Sequence, residues 1–391
     1  MHFQRCIGDT YYLERQEEID ALASELQGIP RVALDTEADS LHHYREKVCL
    51  IQISFQGRHI VVDPLVGADL SRLLDTLAQR LLVLHGADYD LRLLKRCYGF
   101  VASEIFDTML AAQLLGYKQL SLSSVVERTC GVVLSKHGQK ADWSRRPLPA
   151  NLIEYATNDT RHLLCLADQL ARELKLKGRL AWHREACRRL VESAAACGNA
   201  AHRHGDWKVK GWHTLQPGRA HAILYELWQW REHEAQTADL PPFKILRNEV
   251  LVELARWVND HGLKEELPQL PRNIRGGRLE RLLRALVKGY QSHPSSWPRL
   301  VAPSKKTRYT TSQEVLARLR AIRDKRALEL GIEPSVLCSN SVLQLLADRQ
   351  PTSRDDLMNW GELSQWQVEV LADEFLLAFQ EMSPTGKTSE L

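Results

Sequence analysis

The segment Arg31-Val-Ala-Leu-Asp-Thr-Glu37 constrains this chain more than any other, because it reads as a buried strand that carries two acids. Side chains alternate across a strand, so Asp35 and Glu37 project from one face about 7 Å apart. Two ionised carboxylates placed that way repel unless protons or a cation compensate them. The strand pattern continues in Lys47-Val-Cys-Leu-Ile-Gln-Ile-Ser54 and in Ile60-Val-Val-Asp63, which predicts a β-meander opening the fold.

Two more acids follow in contexts of their own. Asp90 comes after the apolar run Leu81-Leu-Val-Leu84, in His85-Gly-Ala-Asp-Tyr-Asp-Leu-Arg-Leu-Leu94, where a loop passes into a helix. Asp159 lies in Leu152-Ile-Glu-Tyr-Ala-Thr-Asn-Asp-Thr-Arg-His-Leu-Leu-Cys-Leu166, whose apolar spacing is helical and puts Tyr155 and Asp159 one turn apart on one face. Taken singly, an Asp-x-Glu is ordinarily a solvated strand end and a Tyr-x-x-x-Asp an ordinary helix face. Together and in this order, the acids point to a common site where they could hold two divalent metal ions. Eight cysteines show no Cys-x-x-Cys pair or zinc spacing, so no nitrogen and sulfur set competes for that role.

In these residues the chain resembles the DEDD superfamily of 3′-5′ exonucleases, in the subgroup with tyrosine in the third motif, and within it the ribonuclease D family. Phe106-Asp-Thr-Met-Leu-Ala-Ala-Gln-Leu-Leu115 and Lys136-His-Gly-Gln-Lys-Ala-Asp-Trp-Ser-Arg-Arg-Pro-Leu148 carry the likeness further, over roughly residues 8 to 200. The resemblance implies an α/β fold, a ribonuclease H-like exonuclease domain with a mixed sheet. It implies two Mg²⁺ or Mn²⁺ ions, which prefer oxygen ligands. Asp35, Glu37 and Asp159 would contact the ion beside the attacking water, and Asp35 and Asp90 the second. Tyr155 would orient that water, since an unperturbed phenol with a pKa near 10 is a poor base at neutral pH. Asp90 is preferred to Asp88 because it precedes the Leu-x-x-Leu helix, and Asp39 is read as a loop residue. Tyr44, His85, Gln139 and Lys140 are candidate substrate contacts, with a structural histidine the blander reading of His85. Asp107 is expected to cap the next helix.

Beyond residue 170 the pattern is helical. Ala222-Ile-Leu-Tyr-Glu-Leu-Trp-Gln-Trp-Arg231, the Pro-Pro-Phe turn ending at Phe243 and the helix Val250-Leu-Val-Glu-Leu-Ala255, with Asn248 as its expected cap, resemble an HRDC domain. At a constant offset of 92 positions Leu227 matches Leu319, Arg231 matches Arg323, Pro242 matches Pro334, Asn248 matches Asn340 and Val250-Leu251 matches Val342-Leu343. Ungapped agreement at core, turn and cap positions indicates an internal duplication. The expected organisation is an exonuclease domain over 1–205, an HRDC domain over 215–292 and a divergent second HRDC-like domain over 312–382, the last two all-α, with a linker over 292–311. Trp228, Trp230, Phe243 and Trp257 occur at helical spacing among aliphatic residues and are expected in the core.

A net charge of +3 on 391 residues does not by itself indicate nucleic-acid binding, although local Arg and Lys clusters could meet phosphate. With no leader-like N-terminus and no long apolar run, a cytoplasmic protein is expected, without membrane or organic cofactor and as a monomer. The resemblance implies an RNA partner and 3′ trimming of precursor transfer RNAs to 5′-mononucleotides. A DNA exonuclease would share every catalytic acid, and an inactive RNA-binding scaffold is the alternative of a different class.

Overall fold

The computed structural model describes residues 6–135, 138, 141–196, 207–298 and 310–382. Seven strands form one mixed sheet: β1 (Cys6–Ile7), β2 (Thr10–Leu13), β3 (Arg31–Ala38), β4 (Val48–Phe55), β5 (Arg58–Val62), β6 (Leu81–Leu84) and β7 (Glu104–Asp107), in the order β1-β2-β5-β4-β3-β6-β7. The expected meander is β3-β4-β5, both pairings antiparallel, but it does not open the fold: β1 and β2 precede it, and β2 pairs parallel with β5. Its second turn is made by Gln56 and Gly57, both at positive φ, the conformation that matches the twist of a two-residue hairpin. The parallel neighbours β6 and β7 then extend the sheet beyond β3. Acid-bearing β3 is therefore interior, with a partner on each side.

Every residue of β4 is buried, which hides the period of two and shows that both faces of the sheet are covered. On one face Leu34, Ile51, Ile53, Ile60 and Val62 pack under α1 (Gln16–Leu26), α2 (Ser71–Ala78) and α3 (Asp88–Tyr98). Ile19, Leu22 and Leu26 of α1 recur at helical spacing and are fully enclosed there. Helices α4 (Thr108–Leu115) and α5 (Leu122–Cys130) follow, then α6 (Ala150–Arg161), α7 (Leu163–Leu176) and α8 (Leu180–Ala195). The other sheet face is covered by α6, whose Ile153 and Ala156 pack on Leu50 and Val61, and by α4, α5 and α7 over Ala33 and Val83.

The helical half contains α9 (Arg219–Ala238), α10 (Pro242–Ile245), α11 (Asn248–His261) and α12 (Gly277–Gln291), and then α13 (Thr310–Leu330), α14 (Pro334–Leu337), α15 (Asn340–Arg349), α16 (Arg354–Trp360) and α17 (Gln365–Met382). The duplication reappears as a hydrogen-bonding unit. Arg231 Nη1 donates to Leu246 O at 3.1 Å and Asn248 Oδ1 at 2.7 Å; Arg323 Nη1 donates to Cys338 O at 3.0 Å and Asn340 Oδ1 at 2.8 Å. Asn248 is thus not a helix cap: it is the first residue of α11, and its side chain is taken by the buried arginine. Phe243 also departs from expectation, at 49% exposure, because the Pro-Pro turn points it away from the core around Leu227 and Leu254.

The two helical units meet the sheet differently. The second shares one continuous core with it, in which Leu114, Leu166 and Leu170 join Leu319, Leu346 and Phe375. Arg179 donates from Nη1 to Leu114 O at 2.6 Å and from Nη2 to Leu330 O at 2.5 Å, and Trp182 stacks on Trp366 with centroids 4.5 Å apart. Gly116, at φ +83°, lies so close to Gly331 that an added Cβ would be 1.9 Å from its carbonyl oxygen. The first unit, with Trp207 and Val209 in its own core, touches the loop after β3: Asp239 accepts from His43 Nδ1 at 2.7 Å and from Tyr44 N at 3.2 Å.

Candidate active site

Helix α6 is fixed across β3, β4 and β5 by apolar contacts and by buried hydroxyls, with Thr160 Oγ1 2.8 Å from Ser54 Oγ and Thr10 Oγ1 3.2 Å from Thr157 Oγ1. Because those residues set its depth, Asp159 comes down over the acid-bearing face of β3. One oxygen each from Asp35, Glu37 and Asp159 lies within 4.8 Å of the other two. The three are half-buried, crowded by protein yet reachable from solvent.

Asp90 enters from the first turn of α3. Its Oδ1 accepts from Thr36 N at 3.2 Å and Thr36 Oγ1 at 2.5 Å, so the residue between the two strand acids ties the third to them. The start of α3 is itself held from β7. Asp107 accepts from Gly86 N at 3.0 Å and Ala87 N at 2.8 Å while capping α4 through Met109 N and Leu110 N. One buried carboxylate therefore satisfies free N–H groups at the starts of two helices.

Burial raises all four acids, and for Asp35, Glu37 and Asp159 repulsion from neighbouring acids of the cluster adds to it. Asp35 lies well above the usual carboxylate range through desolvation and then through Asp90, Asp159 and Glu37. Glu37 is pushed up to about 9 by burial and then by Asp159 and Asp90, and Asp159 to about 7 by burial and by Asp90. Asp90, relieved by its Thr36 hydrogen bonds, rises only to about 6. Among the described residues no Lys or Arg pairs with any of the four. A converging, oxygen-only, cation-free cluster whose charge is suppressed by crowding fits a divalent metal of the Mg²⁺ or Mn²⁺ type.

Tyr155 shares the face of α6 with Asp159, and burial followed by the nearby Asp159, Glu37 and Asp35 raises its phenol. The hydroxyl is thereby held neutral, able to orient a water. Its ring is packed from two sides. Trp143 lies with its centroid 6.1 Å away, and a Cβ on Gly138 would come within 2.6 Å of the ring.

The remaining described candidates have partners of their own. Asp88 is exposed and pairs with Arg92 at 2.8 Å, and buried Asp39 accepts from Lys47 N at 2.8 Å. His85 has both ring nitrogens engaged, Nδ1 with Thr108 Oγ1 at 2.9 Å and Nε2 with Leu120 O at 2.8 Å, and burial lowers its pKa. Tyr44 packs on the first helical unit, its hydroxyl 3.3 Å from Glu232. Gln139 and Lys140 lie outside the described residues. Sequence reasoning missed Thr36 and the second role of Asp107. Thr36 could have been suspected only from its place between the two acids.

Comparison with known proteins finds relatives for both the sheet domain and the helical units. Residues 11–175 match the 3′-5′ exonuclease family, and residues 220–259 and 312–378 match the HRDC domain. A ribonuclease D from Xanthomonas oryzae is 29% identical over 354 residues, covering 87% of this chain and 91% of its own, and one from Zymomonas mobilis is 34% identical over 60% of each chain. The crystal structure of Escherichia coli RNase D, an exoribonuclease involved in structured RNA processing, has the same fold, with a TM-score of 0.71 at 22% identity over 97% of this chain and 99% of that one.

Proposed function

The chain belongs to the ribonuclease D family of 3′-5′ exonucleases, and on that premise we propose that it trims the 3′ ends of precursor transfer RNAs, releasing 5′-mononucleotides. The enzyme class is that of its relatives, a 3′-5′ exoribonuclease. The observation that carries the mechanistic reading is the convergence of the Asp35, Glu37 and Asp159 carboxylates.

In this reading Asp35, Glu37 and Asp159 would hold one divalent ion, and Asp35 with Asp90 would reach a second. Bound there, such ions would lower the pKa of a water and offset charge on the phosphate oxygens. The residues do the rest. Tyr155 would orient the water through its hydroxyl, and the crowded acids concentrate negative charge that a doubly charged ion can offset. Attack on phosphorus breaks its bond to the 3′ oxygen, which leaves as a hydroxyl on the shortened RNA. The organisation we propose is an exonuclease domain over 1–205 and HRDC domains over 215–292 and 312–382. The helical units would grip the RNA backbone, in a monomer that works in the cytoplasm.

The test is digestion of a 3′-extended transfer RNA with product-end mapping, for wild type, Asp35→Ala and Asp90→Ala, with matched DNA alongside. Stepwise 3′ shortening by wild type, lost in either variant and in EDTA, is expected. Full activity in either variant would sink the two-metal assignment, and a preference for DNA the substrate assignment.

A further inference from the structure

Gln52 is unlike the polar residues around it. It is fully buried in the middle of β4, and neither its Nε2 nor its Oε1 has a hydrogen-bond partner. Leaving both ends of a buried amide unpaired is costly, and native chains rarely do so without a use for it. The same face shows that partners are to hand where the protein intends them. Two residues on, Ser54 Oγ is held by His59 Nδ1 at 2.9 Å and by Thr160 at 2.8 Å.

The register of the sheet says what Gln52 faces. Its direct partner across the antiparallel β3-β4 ladder is Asp35, and Leu50 is that of Glu37. Directly opposed residues project from the same face with Cβ atoms roughly 5 Å apart. Gln52 therefore shares the sheet face that carries Asp35 and Glu37, the face over which α6 packs on β3 and β4.

We propose that Gln52 is a positioning residue of the site, its Nε2 donating to Asp35 when that carboxylate holds a divalent ion. The inference rests on the metal-dependent reading above. A carboxylate that binds an ion through one lone pair keeps others to satisfy, and a fixed donor beside it selects one rotamer. Gln suits this place because it donates without adding a charge; a Lys would neutralise the cluster and a carboxylate would add to its repulsion.

This predicts an unusual separation of effects in Gln52→Met and Gln52→Leu, which keep the volume and remove the amide. The measurement is thermal melting of the full chain titrated with Mn²⁺, without RNA, followed by exonuclease assay across the same Mn²⁺ range. In EDTA both variants should melt no lower than wild type, since an unsatisfied buried group has been removed. With Mn²⁺ the half-saturating concentration, for melting and for activity alike, should rise about tenfold. A rise below about threefold overturns the inference, as does failure of both variants to fold, which would make the amide structural. If wild type shows no response to Mn²⁺, the metal reading itself falls, a result distinct from a wild-type response that the variants share unchanged.

Discussion

Asp159→Asn should stabilise the metal-free protein and cripple the metal-bound one. Asp159 is lifted from 3.8 to about 7, by burial first and by Asp90 second. The folded chain therefore holds this proton more tightly than the unfolded chain. Stability falls as the pH rises from about 4 through about 7, and the full penalty is present above pH 7. A rise of that size corresponds to about 4 kcal/mol. Because the acids titrate together and solvent reaches the site, about half of that should be recovered when the charge is removed, or about 2 kcal/mol. Asparagine keeps the shape and one carbonyl oxygen. In EDTA at pH 8 the variant should thus be more stable than wild type in denaturant unfolding, with the advantage shrinking as pH falls and vanishing below about pH 4. Saturating Mn²⁺ should reverse the order, since wild type gains a full ligand set. A variant less stable than wild type in EDTA at pH 8, or a difference that ignores pH, would refute the claim that crowding of uncompensated charge raises these acids.

Further outcomes follow from the same geometry. Tyr155→Phe should lower kcat about 100-fold, the scale of a group that helps position or move a proton, with Mn²⁺ half-saturation unchanged; a shifted metal response would instead make the phenol part of the metal site. Gly116→Ala should destabilise the chain by about 2 kcal/mol or more, since its Cβ would collide with the Gly331 carbonyl at a positive-φ site. Hydrogen exchange should then accelerate across Leu319 and Phe375, and unchanged protection there would mean that the second helical unit does not depend on this contact. Arg231→Met and Arg323→Met should each cost about 2 kcal/mol in denaturant unfolding, because each leaves a backbone carbonyl and an asparagine without their donor. Effects within about 0.5 kcal/mol, as at an ordinary surface site, would remove the arginine from the role the duplication gives it.

The amino-acid sequence by itself determined what depends on local periodicity. Strand alternation put Asp35 and Glu37 on one face, helical spacing put Tyr155 and Asp159 on another, and the 92-residue offset of Arg231, Asn248 and Pro242 marked two copies of one helical unit. The relation of those pieces was decided only in three dimensions. Thr36 is joined to Asp90 across 54 positions, and Asp107 caps the helix that carries Asp90 from 17 residues further along the chain. Asn248 looked like a cap because Asn favours helix starts, and it was claimed by an arginine 17 residues away. Gln52 read as one more residue of an apolar strand until the register set it opposite Asp35. The second helical unit was expected as a domain of its own beyond a linker, yet it completes the core beneath the nuclease sheet, because Gly116 and Gly331 allow the two backbones to touch. Each of these is a long-range contact between surfaces that chain periodicity leaves free to choose partners. Packing the sheet, α6 and the helical units together makes that choice, and with it brings four separated acids to one site.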